Sequence, residues 1–201
     1  MGTVVKDPKQ KRAVENKERL IKSAFKLFLE NGFYNTNSKE IAQEAGVSTG
    51  LFYNYFNDKS DIFCVILNRT LEKNYSNLKK VLGEAFKQKN KEEILRRFIN
   101  QGIESVAEMQ YIYQDIEIVK KQYPKIGEVF LANKEMSKNL LMDYIKKVNE
   151  NVSLEISCMK SNIIATTITA NCVEIARISD KKKQEEAINL LLDIVNNIVN
   201  Y

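Results

Sequence analysis

The stretch from Thr36 to Asp61 limits the possible folds of this chain more than any other part of the sequence. Its first residues place Ile41, Ala42 and Ala45 on one apolar face of a helix. Gly46 follows, where glycine can leave a helix through the left-handed conformation without a steric penalty. The pattern therefore predicts a short helix that ends in a tight turn.

The residues after this turn predict a second short helix. Ser48 suits its N-cap, because its side chain can accept a hydrogen bond from a backbone N–H two or three residues further on. Phe52 and Phe56 lie four residues apart on one side of that helix, and Asp58 with Asp61 is typical of the start of the next. Two short helices joined by a glycine turn form a helix-turn-helix, whose second helix enters the major groove of DNA.

Helices are expected throughout the chain, because its 201 residues include only 7 glycines and 2 prolines. Beyond the helix-turn-helix, helical patterns run over residues 14–31, 59–82, 91–109, 111–122, 124–149, 155–178 and 183–200. The prediction is an all-α fold of about nine helices. We expect a flexible basic arm over residues 1–12, a DNA-binding domain over 13–58 and a helical bundle over 59–201, with helix 59–82 linking the last two. The arm is either a solvated tail or a segment that contacts DNA phosphates or the minor groove.

Composition argues against several classes of function, although carboxylates or lysine could still act in catalysis. Histidine is absent, which removes the commonest metal ligand and general base. The sequence has neither a phosphate-binding P-loop nor a dinucleotide-binding GxGxxG motif, so we expect no enzyme activity and no cofactor. The longest apolar runs are too short to span a bilayer, which favours a cytoplasmic protein without membrane contact. Cys64, Cys158 and Cys172 form no Cys-x-x-Cys motif and are interpreted as buried small hydrophobic residues, with a redox sensor as the alternative. A net charge of +5 does not by itself identify a partner.

The helix-turn-helix stretch also resembles a known family. Its residues follow the pattern T-x4-I-A-x2-A-G-V-S-x-G-x-x-Y-x-x-F-x-x-K, at Thr36, Ile41, Ala42, Ala45, Gly46, Val47, Ser48, Gly50, Tyr53, Phe56 and Lys59. Ala24, Leu27, Phe28 and Gly32 match the helix before it. Over the first third of the chain the sequence is similar to the DNA-binding domain of TetR/AcrR bacterial transcriptional regulators. The resemblance implies a three-helix DNA-binding domain followed by a helical bundle for ligand binding and dimerisation.

Side-chain chemistry assigns roles within the predicted DNA-binding site. Thr36, as the expected N-cap of the first short helix, is predicted to offer its hydroxyl and nearby amides to a phosphate. Tyr53, Tyr55 and Lys59 are predicted to contact phosphates, a role that the resemblance also implies for Tyr53 and Lys59. The predicted base-reading residues are Lys39, Thr49, Gly50, Leu51 and Asn54, and Ser48 completes the DNA-binding set. The alternatives are that the tyrosines are core aromatics and that Lys39 is a solvated lysine.

The last two predicted helices, 155–178 and 183–200, differ from the others. The segment from Met159 to Val173 carries one charge, Lys160, and many small and hydroxyl side chains, which let helices approach closely. The final helix presents a broad apolar stripe. Pairing of both helices with their copies across a two-fold axis would bury these faces, whereas the alternative is a core within one chain. The resemblance favours the homodimer.

The resemblance further implies a small-molecule effector inside the bundle. Aromatic and methionine side chains suited to line an apolar cavity are Phe98, Met109, Tyr113, Tyr123, Phe130 and Tyr144. This composition favours a lipophilic effector. The predicted function is a ligand-responsive repressor at the bacterial nucleoid, which binds a palindromic DNA operator as a dimer and is released by its effector. The alternatives are a constitutive activator or architectural factor without a ligand, and an all-α protein–protein adaptor.

Overall fold

The computed structural model describes residues 8–85, 91–108 and 116–200. These residues form nine α-helices and no strand: α1 (Pro8–Asn31), α2 (Ser38–Glu44), α3 (Thr49–Tyr53), α4 (Lys59–Ala85), α5 (Lys91–Glu108), α6 (Ile116–Gln122), α7 (Pro124–Val148), α8 (Leu154–Ala176) and α9 (Lys181–Asn200). The predicted all-α fold is confirmed.

Helix α1 starts earlier than the sequence predicted. It begins at Pro8 rather than near Val14, and proline suits the first turn of a helix because its missing N–H would have no partner there. The prediction of a flexible arm was therefore wrong for residues 8–12, which are helical. Residues 1–7 lie outside the described residues.

The chain divides into two compact units. The first comprises the described residues as far as Arg69 together with Ile116–Gly127, and the second comprises the remaining described residues. The first unit thus differs from the predicted domain over 13–58, because it also contains the start of α4 and a segment from the middle of the chain. Helices α4 and α7 each have residues in both units.

Aromatic side chains form the core of the first unit. Phe28, Phe33 and Phe63 are fully buried, and the Phe63 ring meets the other two with centroid distances of 5.0 and 4.9 Å. Gly32, with φ of 77°, ends α1 and turns the chain so that Phe33 enters this core. Burial of each such side chain contributes about 1.5–3 kcal/mol.

The core of the second unit lies where α5, α8 and α9 pack together. Ile99, Ile164 and Leu192 are almost completely buried there. Helices α5 and α8 approach closely at Gly102, where an added Cβ would lie 3.1 Å from the Cys172 sulfur. Burial raises the pKa of the Cys172 thiol to about 11, so this cysteine behaves as a small hydrophobic residue, as interpreted from the sequence.

Candidate nucleic-acid interface

The first short helix, α2, begins with a capping box. The Asn37 side chain accepts hydrogen bonds from the Lys39 and Glu40 backbone amides, at 3.1 and 3.0 Å. The Glu40 carboxylate in turn accepts one from the Asn37 amide, at 3.2 Å. The prediction that Thr36 is the N-cap was therefore wrong by one residue. The asparagine followed three residues later by glutamate is the sequence signal that identifies the correct cap.

Thr36 has an internal role. Its side chain is fully buried, and its hydroxyl lies 2.9 Å from the Gly32 carbonyl oxygen, to which it donates. The Leu27 carbonyl is a second acceptor at 3.3 Å. Because the hydroxyl faces the end of α1, the predicted contact between this side chain and a DNA phosphate is corrected: Thr36 fastens the loop between α1 and α2.

The turn between α2 and α3 depends on glycine, as the sequence predicted. Gly46 has φ of +63°, and the Val47 amide donates to the Ala42 carbonyl at 3.0 Å, which closes the end of α2. Arg19 of α1 donates to the carbonyl oxygens of Ala45 and Gly46. A Cβ at position 46 would lie 2.7 Å from the Arg19 guanidinium. Both the backbone conformation and this close contact therefore require glycine.

Helix α3 is held by its cap and its inward face. Ser48 Oγ accepts a hydrogen bond from the Leu51 amide at 3.2 Å, which confirms the predicted N-cap. Phe52 and Phe56 are buried, so the opposite side of the helix faces outward. Tyr53, which is 56% exposed, lies on this outward side with its ring edge-on to Phe52.

Most of the predicted DNA-binding residues lie on the surface of this unit. The exposed ones are Lys39, Ser48, Gly50, Tyr53 and Asn54, and the half-buried ones are Thr49, Leu51 and Tyr55. A Cβ added at Gly50 would meet only the Ser48 hydroxyl, at 4.0 Å. The fold therefore does not require glycine at position 50, and the α3 surface is open there.

Lys59 points into the first unit. Its ammonium donates to the carbonyl oxygens of Phe33 at 2.7 Å, Tyr34 at 3.2 Å and Thr36 at 2.9 Å. These three acceptors match its three N–H donors. Burial lowers the pKa of this ammonium, against the opposing effect of the Glu40 carboxylate. The predicted phosphate contact is therefore corrected, because Lys59 fastens the α1–α2 loop to the start of α4.

Residues 116–127, which comprise α6 and the first turn of α7, belong to this unit. We call them the α6–α7 segment. Lys125 of α7 makes ion pairs with Asp61 at 2.5 Å and with Asp58 at 3.3 Å. Hydrogen bonds from Lys125 lower the pKa of Asp61, and backbone and side-chain bonds from Asn57 add to this effect. Burial raises the pKa of Asp58, but hydrogen bonds from Ser60, Asp61 and Lys125 outweigh burial and lower it. No local pattern in the sequence indicates these contacts.

Two contacts between uncharged side chains hold the same segment in place. The Tyr34 hydroxyl donates to the Gln122 side-chain oxygen at 2.9 Å, and the Tyr123 ring lies edge-on to Phe33 at 5.1 Å. Tyr123, predicted to line an effector cavity, thus belongs to the first unit.

The other predicted effector-binding residues lie elsewhere. Phe98 and Tyr144 pack against the same buried core of the second unit, and burial raises the pKa of Tyr144. Phe130 is half-buried on α7. Met109 and Tyr113 lie outside the described residues. Two of the six predicted residues therefore pack against this core.

A second exposed surface lies on α8 and α9. Large apolar side chains are exposed on it, at Leu154, Ile156, Met159, Ile163, Leu190 and Ile194. Ser157 and Ser161 lie on the buried side of α8, and their hydroxyls donate to carbonyls of their own helix at 2.9 and 2.8 Å. These polar side chains therefore need no partner outside α8.

Two kinds of feature are absent from the described part of the chain. Within it, no helix is both long and apolar enough to cross a membrane. Nor are three or more histidine, cysteine, aspartate or glutamate side chains grouped there so as to hold a metal ion.

The fold and the outward face of α3 define the class of the molecule as an all-helical protein with an N-terminal helix-turn-helix of the DNA-binding type. Residues 20–64 match the family model described as bacterial regulatory proteins, tetR family. The HTH-type transcriptional regulator HbdR of Aromatoleum sp. (strain CIB) is 47% identical over 70 residues, which are 35% of this chain and 30% of HbdR. The chain thus spans about a third of the length of the curated relatives it matches.

Solved structures extend the similarity of fold to most of the chain. SCO7518 of Streptomyces coelicolor A3(2) has a TM-score of 0.74 and 16% identity, with 93% of this chain and 99% of that one covered. FadR of Bacillus halodurans, a fatty acid degradation regulator, has a TM-score of 0.59 and 20% identity, with 87% and 97% covered. Residues 20–64 are therefore a domain of the tetR family of bacterial regulatory proteins. Its relatives in that family are transcriptional regulators and not enzymes, in agreement with the sequence-based prediction.

Proposed function

We propose that this protein is a transcriptional repressor that binds a palindromic operator as a homodimer and is released by a small lipophilic effector. The observation that carries the proposal is the outward face of α3, which is uncovered and rigidly supported from behind by Phe52 and Phe56. An exposed helix of this kind fits the major groove of DNA. Such a repressor acts in the cytoplasm, at the bacterial nucleoid.

Base reading falls to the exposed and half-buried polar groups around α3. Lys39 can donate to O6 and N7 of guanine, and Asn54 can pair with adenine. Leu51 and Thr49 present methyl groups that can contact a thymine methyl, and Gly50 lets the α3 backbone approach the bases. Tyr53 and Tyr55 donate their phenolic hydroxyls to phosphates, beside the exposed hydroxyl of Ser48. Thr36 and Lys59 are not included in this proposed interface, because their polar groups are engaged inside the unit.

Dimerisation is proposed through α8 and α9. The exposed apolar side chains of the two helices would leave water if a second copy covered them, and burial of such surface drives association. A dimer supports operator binding, because two half-sites give an affinity that one short helix cannot reach.

The effector is proposed to bind in the second unit. Phe98 and Tyr144 offer partly buried aromatic surface there, which suits a lipophilic compound. Release from DNA requires that the effector bind the released form more tightly than the DNA-bound form.

Selection of bound duplexes from a random pool, using the full chain, tests the proposal. The expected product is a palindrome whose half-sites lie about 34–36 Å apart, or a multiple of that distance. Failure to enrich any sequence would reject the DNA-binding function, and an asymmetric single site bound by a monomer would reject the dimer. Titration of the operator complex with long-chain acyl compounds then tests the effector class, because release by polar compounds alone would contradict it.

A further inference from the structure

The recognition helix α3 cannot fix its own orientation. It has only five residues, and isolated helices of this length are not stable in water. Its position depends on the buried faces of Phe52 and Phe56 and on the chain segment through which it leads into α4. We call that segment, residues 54–61, the α3–α4 junction.

The junction is held by hydrogen bonds to two carboxylates. Asp58 accepts the Ser60 and Asp61 amides at 2.7 and 3.1 Å. Asp61 accepts from the Asn57 amide and side chain at 2.9 and 2.8 Å. These bonds fix the last turn after α3 relative to the first turn of α4. They also place two negative charges within one helical turn, which repel each other unless a cation lies nearby.

Lys125 supplies that cation from the middle of the chain. Its ammonium contacts both Asp58 and Asp61, more than 60 residues away in sequence. The contact is not an isolated surface ion pair, because the bond between Tyr34 and Gln122 and the ring contact between Phe33 and Tyr123 hold the same segment in place. Because residues 122 and 123 are already held, the backbone next to Lys125 does not have to be ordered when the ion pairs form.

We propose that Lys125 is a positioning residue for DNA reading, which fixes the α3–α4 junction and thereby the angle at which α3 meets the major groove. The inference rests on the proposed DNA-binding function and adds to it a residue outside the helix-turn-helix. The first turn of α7 then acts in DNA reading.

The test compares three variants of the full chain on the duplex selected for the wild type. Lys125→Gln removes the cation, Lys125→Arg retains it, and Lys121→Gln makes the same charge change at an exposed lysine of α6. Fluorescence anisotropy is measured well below the melting temperature, with helix content checked by circular dichroism. We expect Lys125→Gln to weaken binding about three- to tenfold and the other two variants to stay within about twofold of wild type.

Hydrogen exchange of the free protein separates positioning from a loss of positive charge. Amides of residues 53–61 should exchange about three- to tenfold faster in Lys125→Gln but not in Lys121→Gln. Equal affinities, or equal exchange rates, for these two variants would overturn the role of Lys125. If Lys125→Gln is partly unfolded, Asp58→Asn decides, since it keeps an N-cap acceptor and removes one charge that Lys125 contacts. The Asp58→Asn variant is expected to raise the hydrogen-exchange rate of the junction amides. An unchanged rate would overturn the proposal.

The two proposals fail in different ways. If the wild type enriches no duplex, the DNA-binding function is rejected and the role of Lys125 in DNA reading falls with it. If the wild type binds its operator but Lys125→Gln binds as tightly as Lys121→Gln, only the role of Lys125 is rejected.

Discussion

Replacement of Lys59 with methionine removes the ammonium that joins the start of α4 to the α1–α2 loop, while it keeps most of the side-chain volume. The ammonium donates to three backbone carbonyls between 2.7 and 3.2 Å away. A hydrogen bond to a charged group contributes about 1.5–3 kcal/mol, so three such bonds set an upper limit of about 4.5–9 kcal/mol.

Two effects reduce that limit. Lys59 is only half-buried, so water can reach some of the carbonyls that it leaves, and methionine does not have to be stripped of the water that an ammonium holds. We therefore expect Lys59→Met to lower the free energy of unfolding of the first unit by about 2–4 kcal/mol. Lys39→Met, the same change at an exposed lysine of α2, should change it by less than about 0.5 kcal/mol.

Urea unfolding followed by circular dichroism, with hydrogen exchange to separate the first unit from the second, measures this loss. The salt dependence of operator binding tests the alternative, in which Lys59 contacts a DNA phosphate. A lysine that contacts a phosphate would flatten the salt dependence by about one unit of slope when it is removed. Unchanged stability together with such a flattened slope would refute the internal role of Lys59.

Three further predictions concern other sites. Gly50→Ala should leave the melting temperature unchanged or raise it, since an α-helical glycine costs about 0.5–1 kcal/mol relative to alanine and the new Cβ meets no close neighbour. Operator affinity in the same variant should fall, and undiminished affinity would show that the α3 backbone does not approach DNA at this position. Asp61→Asn should destabilise the protein at pH 7, because the pKa of Asp61 is lowered in the folded state. This difference in the free energy of unfolding should shrink as the pH falls below about 4, because the carboxylate becomes protonated first in the unfolded chain and then in the folded one. A difference that stays constant with pH in urea titrations would show that the Asp61 charge is not its cause. Cys172, whose burial raises its pKa to about 11, should resist iodoacetamide at pH 8 in the folded protein and react in urea, and rapid labelling of the folded protein in a mass-spectrometric assay would contradict this.

The helix-turn-helix was predictable because its signals are local. The glycine at position 46, the serine cap at position 48 and the spacing of Phe52 and Phe56 each act within a few residues. The predicted N-cap of α2 was wrong by one residue, because Thr36 and Asn37 both suit a cap. Burial of Thr36 against the end of α1 decided between them, and that burial is a tertiary effect.

The directions of the lysines could not be predicted. A lysine can lie along a surface in several directions because its stem is long and flexible, so the sequence does not distinguish a phosphate contact from the three carbonyls that Lys59 finds. Lys125 was missed for another reason. Its partners Asp58 and Asp61 lie more than 60 residues away, and no local pattern connects them.

The discontinuous make-up of the first unit bears on how the protein is synthesised. Chains emerge from the ribosome from the N-terminus, and domains usually fold as they emerge. Here the Phe33 ring lacks its contact with Tyr123, and the two carboxylates of the α3–α4 junction lack their cation, until Tyr123 and Lys125 have been translated. The nascent chain therefore completes its N-terminal unit only after more than half of its length has been made. A chimaera that exchanges this unit between relatives must carry residues 116–127 along with the N-terminal segment.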